Sequence, residues 1–304
     1  MVWWILIAVV AAAIVSIPFV QELRRDALDP SNAKGRFADL PSGRTHYRWF
    51  GGARGPVAVC VHGLTTPSDV WEPFARELCD LGYRVLIYDL YGRGFSDNVA
   101  GPQTAEFFVT QLRELLDDQG LEDDLTLVGY SMGGSIVTAF TARYSHRVQR
   151  VVLIASAGVE YDEEPFLRRI LGLSFLGTWL HAAIEPFRMR RALAAEAGTG
   201  DPALHQLRLA QIERPGYFPA VIASRRGILS DRQEKEHRAI SRLDIPVFAL
   251  WGEEDDVIPI QSVGTLARWN RAALQDTIPG ANHGLVVTHS RELAALYRTL
   301  VRGD

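Results

Sequence analysis

Short apolar runs alternate with amphipathic stretches over most of this 304-residue chain. Phe37–Leu40 and Thr45–Phe50 flank the turn signal Pro41-Ser42-Gly43 and predict an opening hairpin. Strands are then expected at Val57–Val61, Arg84–Asp89, Leu125–Val128 and Val151–Ala155, alternating with helices at Val70–Leu81, Glu106–Asp118 and Met132–Tyr144. The regularity stops near Gly158 and resumes at Ile245, with an apolar strand ending at Gly252, a short strand Leu274–Ile278 and a final helix Arg291–Val301. Continuously apolar strands need cover on both faces. The expected fold class is therefore α/β, with a mostly parallel, doubly covered sheet.

The intervening stretch has little strand pattern. Leu167–Trp179, Pro186–Glu196, Ala203–Ile212 and Phe218–Leu229 read as helices separated by Gly and Pro, forming a helical cap over the active site. Active sites of such sheets lie at the carboxyl ends of the strands. Of the cap's apolar residues Phe166, Leu171, Leu173, Phe175, Leu176, Trp179, Leu180 and Phe187, most are expected to pack the cap onto the core and a minority to line an acyl-binding pocket.

Gly129-Tyr130-Ser131-Met132-Gly133 fits Gly-x-Ser-x-Gly between a predicted strand and a predicted helix. A serine at such a turn is held in strained backbone geometry, and Gly129 and Gly133 provide the space it needs. The turn raises the hydroxyl above the sheet at a helix N-terminus, where backbone N–H groups and the helix dipole stabilise an oxyanion. A serine hydroxyl is a weak nucleophile, so it needs a base, and the base needs a carboxylate to orient it. The order for this elbow is Ser, then acid, then His. Asp255 is the acid candidate, three residues beyond Gly252 and in Asp-x-x-x-Pro spacing with Pro259; Asp256 and Glu254 are its rivals in the same acidic loop. His283, in the Gly-rich turn Pro279–Gly284, is the base candidate, and His289 its rival close to the last helix. The apolar run Val57–Val61 ends in His62-Gly63, and the loop after such a strand supplies the second oxyanion donor. The backbone amides of Leu64 and Met132 are assigned as donors, and His62 reads as a structural brace.

These pieces together resemble the α/β-hydrolase superfamily from about Gly35 onward. Asp89-Leu90-Tyr91-Gly92-Arg93-Gly94-Phe95-Ser96 looks like the Asp-x-x-Gly-x-Gly-x-Ser loop of the same enzymes. The resemblance implies a serine hydrolase with nucleophile Ser131, acid Asp255 and base His283, working without a cofactor or metal. Serine at the elbow departs from the Asp of haloalkane dehalogenases and epoxide hydrolases of this fold.

The run Val2–Val20 carries no charge and, as a helix, would extend about 28 Å, close to the thickness of a bilayer's hydrocarbon core. It reads as an uncleaved membrane anchor, with a cleaved signal peptide or a helix docked on the domain as the other readings. Arg24, Arg25, Lys34 and Arg36 follow it, which by the positive-inside rule places the rest of a single-pass protein in the cytoplasm. The division expected is an anchor at 1–22, a core at 23–158 and 245–304, and a cap at 159–244. A net charge of −4 with 22% charged residues leaves no basic stripe for nucleic acid. Cys60 and Cys79 fall in a predicted strand and helix and are expected to pack without a disulfide. The layout resembles membrane-anchored monoacylglycerol lipases and carboxylesterases, implying hydrolysis of lipid-like carboxylic esters. A C–C bond hydrolase or thioesterase of the same fold is the alternative, and a non-catalytic scaffold binding a lipid or partner the more distant one.

Overall fold

A computed structural model describes residues 2–25, 28–196 and 202–302. Met1 of the expected anchor, residues 197–201 of the expected cap and residues 303–304 of the expected core lie outside the described residues. The chain begins with helix α1 (Val2–Leu23) and the hairpin β1 (Arg36–Leu40) and β2 (Gly43–Phe50). Then come β3 (Val57–Val61), α2 (Glu72–Asp80), β4 (Arg84–Tyr88), α3 (Ala105–Asp118), β5 (Leu125–Tyr130), α4 (Met132–Arg143) and β6 (Val148–Ile154). Helices α5 (Pro165–Leu171), α6 (Phe175–Glu196), α7 (Pro202–Glu213), α8 (Tyr217–Arg226) and α9 (Glu234–Arg242) follow. The chain closes with β7 (Val247–Gly252), α10 (Ser262–Trp269), β8 (Leu274–Ile278), α11 (Leu285–Thr288) and α12 (Ser290–Arg302).

The strands form one eight-stranded sheet in the order β1-β2-β4-β3-β5-β6-β7-β8. The pairs β1–β2 and β2–β4 are antiparallel, and every other pair is parallel. Successive side chains of a strand point to opposite faces, and here both faces are apolar. Val59, Val61, Leu86, Leu127, Leu153 and Ala249 pack with residues of α3, α4 and α10 on one face. Cys60, Val85, Ile87, Val128, Val152 and Leu250 pack with α2, α11 and α12 on the other. That double cover is why the strands read as unbroken apolar runs.

Most predicted elements lie within a residue or two of the observed ones. The helix expected from Val70 starts its α-helical part at Glu72, with Ser68–Trp71 a 3₁₀ turn. Pro73, at the head of α2, needs no N–H partner there.

The helices after β6 differ more. The helix expected over Leu167–Trp179 is broken after Leu171, and the break expected at Pro186 is absent, since α6 runs through it. The break has a tertiary cause. Arg226 of α8 donates to the carbonyl oxygens of Leu171 (3.0 Å), Leu173 (2.6 Å) and Ser174 (3.2 Å), satisfying acceptors that a helix end leaves open. Helix α9 lies within the interval 159–244 but packs against the core helices α4 and α10, with Ile240 in the same cluster as Ile136 and Phe140 of α4.

Helix α1 is, among the described residues, the one helix long and apolar enough to cross a membrane. Only Pro18 of it is buried. Its carboxyl end meets the helices after β6. The Glu22 carboxylate accepts from the Gly216 amide, Arg25 donates to the Ile212 carbonyl, and the Arg25 guanidinium lies 4.8 Å from the Phe218 ring.

Helix α4 crosses β3 with no room for a side chain at Gly133. A Cβ on Gly133 would sit 1.9 Å from the carbonyl oxygen of Val61. Gly133→Ala is therefore expected to lower stability by about 3 kcal/mol or more, because rigid backbone stands on both sides of the clash. The shift of the urea unfolding midpoint measures it.

Candidate active site

Ser131 stands between the last residue of β5 and the first of α4, at φ +53° and ψ −122°. Positive φ at a side-chain-bearing residue costs of order 1–3 kcal/mol and persists only where the surroundings enforce it. Here they do. The Ser131 amide donates to Ile154 O of β6 (3.0 Å), and its carbonyl accepts from Gly134 N (2.9 Å) and Ala157 N (3.0 Å). Gly63 brings the loop after β3 against the serine, and a Cβ there would lie 3.1 Å from Ser131 Cβ.

Folding brings His283 and Asp255 to this serine. His283 Nε2 lies 3.1 Å from Ser131 Oγ, and His283 Nδ1 lies 2.8 Å from Asp255 Oδ2. The other carboxylate oxygen, Asp255 Oδ1, accepts from Val257 N and Ile258 N, both at 2.8 Å. With its carboxylate an acceptor throughout, Asp255 accepts a hydrogen bond from Nδ1–H, which keeps the proton on Nδ1 and turns Nε2 as an acceptor toward the serine hydroxyl. The Asp255 side chain is almost fully buried, whereas that of His283 keeps 20% of its surface open. The carboxylate is thus held by backbone and shielded, while the imidazole keeps open surface.

The rivals are elsewhere. Glu254 and Asp256 are exposed, and both line the cavity beside the serine. His289 pairs through Nδ1 with Thr288 Oγ1 at 2.8 Å. Leu64 lines that cavity, and Met132 is the first residue of α4, with its side chain buried in the core.

His62 is wholly buried, and burial drives its pKa down to about 4, so it is neutral. Its Nδ1 lies 2.8 Å from the Gly63 carbonyl and its Nε2 accepts from Leu90 N at 2.9 Å. A carbonyl only accepts, so the proton is on Nδ1. The ring ties the loop after β3 to the loop after β4. Asp89, also fully buried, ties the same two loops: Oδ1 accepts from Ser68 N (2.7 Å), and Oδ2 from Phe95 N (2.9 Å) and His46 Nδ1 (2.7 Å). His46 Nε2 faces the Lys34 carbonyl at 2.7 Å, so both its ring nitrogens carry hydrogen and the ring is an imidazolium. Burial works against both charges, but the pair outweighs it: the His46 pKa is raised, and that of Asp89 is held down to about 2.

Residues that sequence reasoning passed over shape the site. The Tyr130 hydroxyl donates to the His283 carbonyl at 2.7 Å, with the two rings 5.2 Å apart. Tyr130 is visible in the sequence as the variable position of the elbow, but nothing along the chain points to its contact with His283. Arg93 is wholly buried, and burial lowers its pKa to about 9. It donates to Leu64 O (3.2 Å) and to Ser224 Oγ of α8 (2.8 Å), joining the cap to the loop that carries the expected oxyanion donor.

The cavity beside Ser131 has a volume of about 610 Å³ and is lined by Leu64, Leu229 and Val257 together with Thr65, Thr66, Tyr161, Arg208 and Arg225. Arg225 is held between Glu163 and Glu185, both at 3.1 Å. None of the eight cap residues from Phe166 to Phe187 named above lines this cavity, contrary to the expectation that a minority of them would. Phe166, Leu173, Phe175, Leu176 and Phe187 are exposed instead. Leu167 and Ile170 take the inward positions of α5.

With the elbow, the facing imidazole and the sheet in hand, comparison with known proteins gives the class. A family model described as alpha/beta hydrolase fold matches residues 56–290, and the chain belongs to that family. It is 28% identical over 251 residues to a 2-hydroxymuconate semialdehyde hydrolase of Pseudomonas sp. (strain CF600), covering 81% of this chain and 86% of that one. It is 25% identical over 260 residues to a pimeloyl-[acyl-carrier protein] methyl ester esterase of Vibrio parahaemolyticus, covering 84% of this chain and 97% of that one. Among solved structures, a bacterial membrane phospholipase A superposes with a TM-score of 0.72 at 22% identity, covering 99% of this chain and 96% of that one.

The buried neutral His62 generates a pH prediction. A histidine whose folded pKa lies near 4, below its ordinary 6.5, stabilises the fold above pH 6.5 and loses that contribution as pH falls through this window. The urea midpoint is expected to drop between pH 7 and 4.5, and less steeply in His62→Asn. Parallel slopes would mean that His62 titrates alike folded and unfolded.

Proposed function

We propose that this protein is a membrane-anchored serine hydrolase of carboxylic esters, with Ser131 as nucleophile, His283 as base and Asp255 as the carboxylate that orients it. The observation that carries the reading is the continuous hydrogen-bonded line from Asp255 Oδ2 through both nitrogens of His283 to Ser131 Oγ. As Oγ attacks the ester carbonyl, its proton passes to Nε2. The tetrahedral oxyanion is taken up by the amides of Leu64 and Met132. One such donor supplies about 3 kcal/mol of transition-state stabilisation. The imidazolium then returns the proton to the departing alkoxide, leaving an acyl-enzyme. Water, deprotonated by the same Nε2, cleaves it and restores the serine. No step requires a cofactor.

The substrate class proposed is a lipid-like ester such as a monoacylglycerol. Helix α1 supports it, since it would hold the site where such esters partition. The mixed cavity lining supports it too, with apolar surface at Leu64, Leu229 and Val257 for a chain and threonine and arginine for a polar head. The match to the membrane phospholipase A extends over almost the whole chain. Arg24 and Arg25 at the end of α1 favour the cytoplasmic side for the catalytic domain. A second reading, cleavage of a C–C bond, is favoured by the Ser131-Met132-Gly133-Gly134 run and by the 2-hydroxymuconate semialdehyde hydrolase relative.

A fluorophosphonate probe is expected to label the folded protein once, with labelling abolished in Ser131→Ala; an unlabelled wild type would remove the enzyme reading. His283→Ala is expected to lower ester turnover about 10³-fold or more. A series of glycerol and nitrophenyl esters of increasing acyl length, run beside a vinylogous diketone, separates the two readings. Turnover should rise from acetate to medium and long chains. Preference for acetate would end the lipid reading, and cleavage of the diketone alone would replace it with the second.

A further inference from the structure

The apolar residues of the cap that do not reach the cavity form a surface of their own. On α6, Leu176, Leu180, Ala183 and Phe187 follow at spacings of four, three and four, so they share one stripe of the helix. Leu176 is 54% and Phe187 67% exposed. Phe175 (67%), Leu173 and Phe166 extend the patch across the turn between α5 and α6. Exposed apolar areas of this kind on a folded domain mark an interaction surface.

Two observations identify the partner. The patch is continuous with α1: the rings of Phe19 and Phe175 stack 6.3 Å apart, and Trp179 Nε1 donates to the Val15 carbonyl at 2.9 Å. Both contacts are made on the apolar side of Glu22, the first charged residue after the run. Val15 lies about 10 Å along the helix from it. If α1 is in lipid as far as its charge-free run extends, Phe175 and Trp179 are carried to the same depth. Arginines border the patch, since the α6 stripe runs into Arg190 and Arg191 and Arg188 lies over the Phe166 ring at 5.7 Å, although Arg190 is paired with Glu213 and Arg188 with Glu164 and Glu185. An apolar face edged with arginine is the pattern of helices that lie in the interface of anionic membranes.

We propose that the outer face of α5 and α6 is a membrane-docking surface, seated in the headgroup–acyl boundary of an anionic bilayer beside α1. The proposal rests on α1 being an anchor. It adds that the cap is not suspended above the membrane on a tether but lies on it, which fixes how the catalytic domain faces the lipid.

The test uses the full-length chain in vesicles of phosphatidylethanolamine and phosphatidylglycerol, in a Cys79→Ala background. Nitroxides are placed at Leu176→Cys and Phe187→Cys, with exposed Lys235→Cys on α9 as the aqueous control. The labels at 176 and 187 are expected to be relaxed by oxygen and shielded from a water-soluble nickel complex, with the reverse at 235. Leu176→Asp together with Phe187→Asp is expected to lower turnover of a vesicle-borne ester about tenfold and to leave a soluble nitrophenyl ester unaffected. Water-exposed labels at 176 and 187 in a chain that resists alkaline carbonate overturn the docking surface and leave the anchor standing. Lipid-exposed labels in a chain that carbonate releases remove the anchor and, with it, the seating of α5 and α6 beside an inserted α1.

Discussion

The molecule depends on a single strained residue being held where three strands converge. Ser131 sits at positive φ, and that conformation survives because its own amide and carbonyl are engaged by β6, α4 and the loop after β6. The strain points the hydroxyl away from the sheet and out of the helix beneath it. The tight packing of Gly133 on β3, and the approach of Gly63 to the serine itself, let the loop after β3 close over the elbow. A Cβ at Gly133 would clash with the backbone of β3, and one at Gly63 would crowd Ser131 at 3.1 Å. The histidine and the carboxylate then need only to lie beyond the ends of neighbouring strands, where a parallel sheet delivers them.

A second layer keeps these loops in place. His62, Asp89 and Arg93 are fully buried polar groups, and each bonds main-chain atoms of the loops around the site. Buried charge is costly unless it is paired and hydrogen-bonded. The imidazolium of His46 compensates Asp89, and five groups accept hydrogen bonds from Arg93, among them a hydroxyl of α8. Arg214, also buried, adds bonds to the carbonyl oxygens of Gly94 and Ser96. The cap is therefore fastened to the core through polar groups beneath it, which frees the apolar outer face of α5 and α6 from any packing duty.

The core and the elbow were readable along the chain because both are written in local pattern. Apolar runs of strand length, turn residues and the Gly-x-Ser-x-Gly spacing need no knowledge of distant neighbours. Asp255 could be preferred to Asp256 and Glu254 on spacing, and the structure places Asp255, not its neighbours, against His283. The cap was less legible. Proline at 186 suggested a break, yet the break falls after Leu171, where Arg226 reaches across from another helix. The apolar residues of α5 and α6 looked like pocket or packing, because a linear pattern distinguishes apolar from polar but not inward from outward on a helix whose partners are unknown.

Alternating strand and helix, the charge-free opening run and the identity of the residues at the ends of the strands were determined by the sequence itself, through periodicity and the stereochemistry of glycine and proline. The distances that join Ser131, His283 and Asp255, the charge state of His46 and the outward face of the cap were decided only by the tertiary structure. Each of these depends on which surfaces, far apart in the chain, are pressed together and shut off from water, and no local run of residues carries that information.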